Sequence, residues 1–395
     1  MVLLMRAWRR MRRQCHAAVL SALRSRKSSA PAAIEARGDG SSEQNKRWLS
    51  ALYGAIIATK RTRELARAAR ISPPAVPVIS VGNVTFGATG KTPCVLFLTD
   101  MILHHSFHTT AKVPMLLSRG YGDDEWRLFA SLFPECKVAI GSDRVRIGAQ
   151  AVQDFNDALS CILLDDGLQQ WRIRKDLEIV MIDALHPFGN GALIPHGSLR
   201  ETPQDALARA DIVILHHANL LPTQTALDTL RSEIHAYSST KGGHTVIATS
   251  QMNVQGLVPV GEIGSVKPDT SFSSNYDELK GKCAFILCGV GNPDSVKRVV
   301  DSMGCWHHVH MEAFPDHYMF TQADLEDMQQ EVVALAQRTQ RDVVVVTTEK
   351  DFFRDEQLLT TFANQCDVRV LRCAFELADN AHVVQQRVLE VLASK

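Results

Sequence analysis

Lys91 and Thr92 stand where a phosphate-binding chain would place them. They close the segment 78–92, VISVGNVTFGATGKT, in which a β-branched apolar run gives way to a Gly-bearing turn. Strand, Gly-rich loop, Lys-Thr and helix together make a phosphate cradle. The loop amides point inward, the ammonium reaches the outer phosphates, the hydroxyl binds Mg²⁺, and the helix presents its positive N-terminus. Gly87, Ala88, Thr89, Gly90, Lys91 and Thr92 are therefore the candidate nucleotide contacts. The common spacing is G-x-x-x-x-G-K-[ST]. Here Thr85 occupies the first glycine position, and Gly82 and Gly87 are additional glycines.

Carboxylates that could complete such a site occur at strand ends. Residues 160–167, SCILLDDG, are an apolar run ending in Asp165 and Asp166. Acids at the carboxyl end of a buried strand lie where ligands bind in open α/β sheets, and Mg²⁺ prefers few carboxylates beside water and phosphate oxygens. One direct ligand and one supporting acid suffice. Residues 186–201, HPFGNGALIPHGSLRE, form a long loop ending in Arg200-Glu201, a phosphate contact and a metal carboxylate, or else a surface ion pair. The segment 117–125, LSRGYGDDE, supplies Arg119, Asp123, Asp124 and Glu125, and a kinase needs a carboxylate to orient or deprotonate the acceptor hydroxyl. In 314–318, FPDHY, Asp316 adjoins His317. In VTTEKDFF, 346–353, Lys350 and Asp351 are adjacent, so the guanine-reading [NT]-K-x-D pattern is not met and a GTPase is disfavoured.

These residues need a sheet to hold them. Near-continuous apolar runs at 76–81, 113–118, 137–140, 160–164, 177–182 and 211–215 alternate with helical patterns, which predicts a doubly wound, mostly parallel α/β sheet. A strand-like run at 245–249, a Ser/Pro-rich loop at 264–275 and runs at 283–288, 307–310, 343–347 and 368–372 predict a second, smaller α/β domain. The expected division is 1–45, 46–235 and 236–395. Residues 46–70 carry Trp48, Leu49, Leu52, Tyr53, Ile56 and Ile57 at helical spacing, followed by Lys60, Arg61, Arg63, Arg67 and Arg70. This amphipathic helix either lies in a membrane interface or packs on the core.

The chain has 395 residues, 45% of them hydrophobic, and no net charge. Its charge is uneven: residues 1–50 hold eleven Lys/Arg against three acids. The Arg-rich first 34 residues precede the first acid, Glu35, and read as an organelle transit peptide, mitochondrial before plastid, with 35–45 as linker. No basic stripe marks the remainder, so nucleic acid is not an expected partner. The nine cysteines show neither C-x-x-C pairs nor a His-Cys cluster and read as reduced thiols. No run of about 18 apolar residues suggests a membrane span.

Taken in order, the segments resemble the tetraacyldisaccharide 4′-kinase family of lipid A biosynthesis. The resemblance rests on VPVISVGNVTFGATGKTP (76–93), SRGYG (118–122), DDE (123–125), DDGLQQ (165–170), GNGALIPHGSLRE (189–201), CGVGNP (288–293), FPDHY (314–318) and TEKD (348–351). It implies a P-loop kinase that moves the ATP γ-phosphate to the 4′-hydroxyl of an acylated glucosamine disaccharide 1-phosphate at a membrane surface. It further implies Lys91 and Thr92 as phosphate and Mg²⁺ contacts, and Thr92, Asp165 and Glu201, with Asp166 close by, as the metal side. Asp124 would be the catalytic carboxylate, with Asp123 the alternative, and His317 its partner across a cleft. The helix at 46–70 would be the membrane-associating element and the chain an organellar, monomeric member acting peripherally on a membrane. Ala88, Gln170 and Tyr318 depart from the family pattern, the usual insertion before the DDE segment is missing, and no Pro follows Glu125. The departures on the acceptor side leave a second expectation, a P-loop kinase retargeted to another lipid or sugar.

Overall fold

The computed structural model describes residues 40–71, 76–104, 112–120, 123–155, 158–238, 245–263 and 276–394. The expected transit peptide, the first five residues of its linker, the Ser/Pro-rich loop and the side chains of Asp123 and Asp124 lie outside the described residues.

Among the described residues, eleven strands form one sheet in the order β3-β2-β4-β1-β5-β6-β7-β11-β10-β8-β9. The strands are β1 (Val78–Asn83), β2 (Val113–Ser118), β3 (Lys137–Ile140), β4 (Leu159–Asp165), β5 (Leu177–Asp183), β6 (Ile212–His216), β7 (Val246–Pro259), β8 (Cys283–Cys288), β9 (His308–Ala313), β10 (Val343–Thr348) and β11 (Asp367–Leu377). The predicted runs thus coincide with strands to within a residue or two at most ends. The exceptions are β9, which runs three residues past 310, and β7 and β11, which extend well past 249 and 372. β1, β4 and β5 are buried along their whole length, as parallel strands covered on both faces must be.

Every neighbouring pair is parallel except β7 with β11. That exception organises the molecule. The first residues of β7 continue the first half-sheet, with His216 opposite Ser250. The last residues of β7 pair with the start of β11, which carries β10, with Thr348 opposite Leu371 and Leu371 opposite Leu257. The carboxyl ends of β6 and β10 therefore face one another along the middle of β7. Loops after strands of both half-sheets meet there.

Helices cover both faces. In chain order they are α1 (Gly40–Leu65), α2 (Lys91–His104), α3 (Asp123–Leu132), α4 (Arg144–Phe155), α5 (Pro203–Leu207), α6 (Gln224–Ser238), α7 (Pro293–Ser302), α8 (Gln322–Thr339), α9 (Glu349–Arg354), α10 (Glu356–Phe362) and α11 (Ala381–Ala393). Two expectations shift. The 46–70 helix begins earlier, taking in residues read as linker, and ends at Leu65. The 117–125 loop is helical from Asp123, so its acids open a helix, where carboxylates suit the positive N-terminus. All eight described cysteines are free thiols. Among the described residues no helix is long and apolar enough to cross a membrane.

Candidate active site

β1 and β4 run side by side with Val81 opposite Asp165. The loop leaving β1 and the two carboxylates ending β4 are thereby neighbours, and α2 starts at Lys91 just beyond the loop. Gly90 takes φ +83°, and a Cβ there would sit 2.5 Å from the His216 ring. Both facts demand glycine. His216 itself is buried with Nδ1 3.0 Å from Ser250 Oγ. Burial, then the neighbouring His217, pushes it well below the usual histidine range, so a neutral imidazole backs the loop.

The 186–201 loop docks on the cradle by backbone pairing. Phe86 N–H donates to Ser198 O (2.8 Å) and Arg200 N–H to Val84 O (2.9 Å). This delivers the Arg200 guanidinium to Asp166 Oδ1 (2.6 Å) and Gln169 Oε1 (3.2 Å), and its face covers the Phe86 ring at 4.6 Å. Lys91 Nζ lies 3.9 Å from the same Asp166 oxygen. Burial alone would raise the Asp166 pKa, but Arg200 and Lys91 together hold it far below the ordinary carboxylate range. Burial pushes Lys91 below the usual lysine range, with Asp166 opposing. Asp166 adopts φ +49°, and Arg144 Nη1 braces it by donating to the carbonyls of Asp165 (2.7 Å) and Asp166 (3.0 Å).

Asp165 has the opposite character. It is buried, and burial plus the Glu125 and Asp166 charges push its pKa up to about 7. Ser118 Oγ–H donates to Oδ2 at 3.4 Å, whereas Oδ1 is buried without a hydrogen-bond partner. A buried carboxylate oxygen lacking a donor suits a hard cation such as Mg²⁺. Among the described residues no group of three or more His, Cys, Asp or Glu could hold a metal alone. An ion at Asp165 would therefore complete its shell from phosphate and water. Glu201, the other predicted metal acid, is wholly buried and engaged by Arg209 (2.8 Å), Gln169 (3.1 Å) and Arg61 (3.6 Å).

The second half-sheet closes the site. A Cβ on Gly291, in the loop after β8, would lie 2.7 Å from Ala88 N, so only glycine permits that approach. Thr92 Oγ1–H donates to Glu125 Oε1 (3.1 Å). Lys350 Nζ reaches the same oxygen (3.5 Å), Asp316 Oδ1 (3.4 Å) and His317 Nε2 (3.5 Å). His317, with φ +59°, is thus linked through Lys350 to Glu125 of α3, and α9 packs on that helix. Asp124 occupies the first turn of α3. Sequence reasoning passed over Lys350 as a site residue, along with Arg144, Gln169 and Arg61. Lys350 and Gln169 sat in motifs already singled out and Arg61 among the basic residues of the 46–70 helix, whereas Arg144 carried no local signal.

A family model described as tetraacyldisaccharide-1-P 4′-kinase (LpxK) matches residues 47–393. A probable mitochondrial tetraacyldisaccharide 4′-kinase of Arabidopsis thaliana is 30% identical over 342 residues, covering 78% of this chain and 80% of that protein. A tetraacyldisaccharide 4′-kinase of Halothermothrix orenii is 32% identical over 306 residues, covering 71% and 75%. The crystal structure of LpxK from Aquifex aeolicus in complex with ATP shares the fold, with a TM-score of 0.57 at 22% identity over 87% of this chain and 97% of that one. A match this long, over a sheet whose strand ends carry the motifs in order, means that the chain belongs to the tetraacyldisaccharide-1-P 4′-kinase family.

Proposed function

We propose that this kinase transfers the γ-phosphate of ATP to the 4′-hydroxyl of a tetraacylated glucosamine disaccharide 1-phosphate, with Mg²⁺, at a membrane surface. The observation that carries the reading is the convergence of the cradle, the Asp165–Asp166 pair and the Lys350–His317 cluster on one seam. Gly87 to Thr92 would hold the phosphates, and Lys91 would exchange Asp166 for a phosphate oxygen. Mg²⁺ would supply charge neutralisation at the β- and γ-oxygens, held by Thr92 and Asp165, with Asp166 and Glu201 supporting.

On the acceptor side, Asp124 would take the hydroxyl proton, with Asp123 the alternative, and His317 would hold the acceptor or that acid in place. Glu125 and Lys350 would fix the distance between the two groups. Arg200, fixed by Asp166, would face the transferring phosphate. Exposed Trp48 (65%) and Leu52 (39%), four residues apart on α1, give apolar surface on the helix that carries the basic residues, which supports peripheral binding to anionic lipid. The Arg-rich extension and the mitochondrial relative support import into mitochondria, with the plastid second. A monomer suffices, since one chain supplies every group invoked. Nothing favours another acceptor.

The test is phosphoryl transfer from labelled ATP to the disaccharide 1-phosphate in detergent micelles, comparing wild type with Lys91→Ala. Product from wild type and its loss in the variant are expected. No product from a folded, nucleotide-binding wild type overturns the reading.

A further inference from the structure

The contacts of Arg200 and Glu201 continue outward, away from the cradle, to helix α1. Glu201 Oε1 accepts from Arg209 and Gln169, but Oε2 has no hydrogen-bond partner and faces Arg61 Nη1 at 3.6 Å. The same nitrogen lies 2.7 Å from Asp205 Oδ2. About two turns earlier on α1, Tyr53 O–H donates to Arg200 O at 2.8 Å. Ser50 Oγ–H donates to Leu193 O (2.7 Å) and accepts from His196 N–H (3.0 Å) in the same loop. Inward, Gln169 links Glu201 to Arg200, Arg200 holds Asp166, and Asp166 faces Lys91. Side chains thus run without a break from α1 to the cradle lysine.

A fully buried carboxylate needs compensating charge. Arg61 supplies it at the one Glu201 oxygen that no donor reaches. Removing that charge would let Glu201 turn toward Arg209 and draw on Gln169, whose other end orients Arg200. Meanwhile Trp48 and Leu52 lie exposed on the same helix. One rigid element thereby presents an apolar face to the surroundings and a guanidinium to the site.

We propose that Arg61 is a positioning residue coupling the seating of helix α1 to the geometry of Arg200 and Glu201 at the phosphate cradle. The inference rests on the kinase reading. It goes beyond that reading in making α1 part of the catalytic wall as well as a surface for lipid.

The experiment uses the full chain as Arg61→Gln, Arg61→Lys, Tyr53→Phe and the double variant Trp48→Ser/Leu52→Ser. Three readouts are taken: kcat and KM for the micellar acceptor, sedimentation with vesicles of mixed zwitterionic and anionic phospholipid, and affinity for a fluorescent ATP analogue without acceptor. Arg61→Gln is expected to lower kcat about tenfold and to weaken the analogue several-fold, because small displacements of positioning groups are costly. KM and vesicle binding stay within about twofold, since uniform binding is untouched. Arg61→Lys restores much of the loss, and the double variant shows the opposite split.

Wild-type kcat and analogue affinity in Arg61→Gln overturn the proposal. So does a loss confined to KM and vesicle binding, which would make Arg61 a lipid contact. Should Arg61→Gln not fold, Tyr53→Phe decides: reduced kcat at an unchanged melting temperature supports the coupling, and wild-type kcat refutes it. A wild type without turnover defeats the kinase reading, while the analogue affinities still decide the coupling.

Discussion

Asn292 Nδ2–H donates to Asp183 Oδ2 at 2.7 Å, tying the loop after β8 to the end of β5. Both residues are buried, and the other Asp183 oxygen lies 3.2 Å from His217 Nδ1. Asn292 also caps α7 by accepting from Ser295 N–H at 3.1 Å. One amide therefore holds a helix end and the seam between the half-sheets.

Asn292→Ala removes both bonds and leaves part of a buried carboxylate unpaired. A loss of about 2–4 kcal/mol is expected from the cap and the charged hydrogen bond together, read by urea unfolding. Asp183→Asn, which keeps a polar partner in place, should cost less.

Lys350→Met should lower kcat about tenfold or more while leaving ATP affinity within a few-fold, because it unties Glu125 from Asp316 and His317 without touching the cradle loop. Lys350→Arg, which keeps the charge, should recover part. Equal loss in both variants would point to shape over charge. Steady-state kinetics with the micellar acceptor separates the outcomes.

Asp165 gives the pH prediction. Its pKa stands near 7, above the unfolded value of 3.8, because burial and two neighbouring carboxylates favour the neutral form. The folded chain then binds more protons than the unfolded chain between these values, so this group's contribution to stability falls as pH rises through that window. Mg²⁺ with nucleotide should reverse the trend, releasing a proton on binding at about pH 6 and stabilising the fold more at pH 8 than at pH 5. Calorimetry in buffers of different ionisation enthalpy measures the proton, and Asp165→Asn should abolish it.

Gly90→Ala forces a Cβ against His216 at φ +83°. The cost should exceed about 1 kcal/mol in stability and nucleotide affinity should fall. In the Gly90→Ala/His216→Ala pair the steric share is relieved and the backbone share remains, so thermal unfolding of the single and double variants separates the two.

The strands were legible because burial on both faces writes itself into a run such as 161–164, CILL, as unbroken apolar residues. The cradle was legible because its strand, loop, Lys91-Thr92 pair and helix follow one another directly in the chain. Arg61 and Gln169 were not, because their partner Glu201 is brought to them by a docked loop. Lys350 was misjudged for the same reason: 225 residues separate it from Glu125. The extra length of β7 escaped notice because Ser250–Gln255 is mixed in polarity and reads as loop when its partner strand, over a hundred residues away, is unknown.

The β7–β11 pairing acts as a ruler. Between Ser250, opposite β6, and Leu257, opposite the strand that carries β10, the ribbon sets how far the cradle lies from Lys350 and His317. Side chains alternate along a strand, so one inserted residue would turn the second half-sheet over and carry both groups away from Lys91. Two inserted residues would keep the facing and add about 7 Å of reach. The chain contains one such step already: Gly256 opposes Arg372 and Val254 opposes Cys373, leaving Gln255 as the extra residue. Ribbon length and the position of that bulge are thus dimensions of the candidate site, adjustable without changing any side chain that lines it.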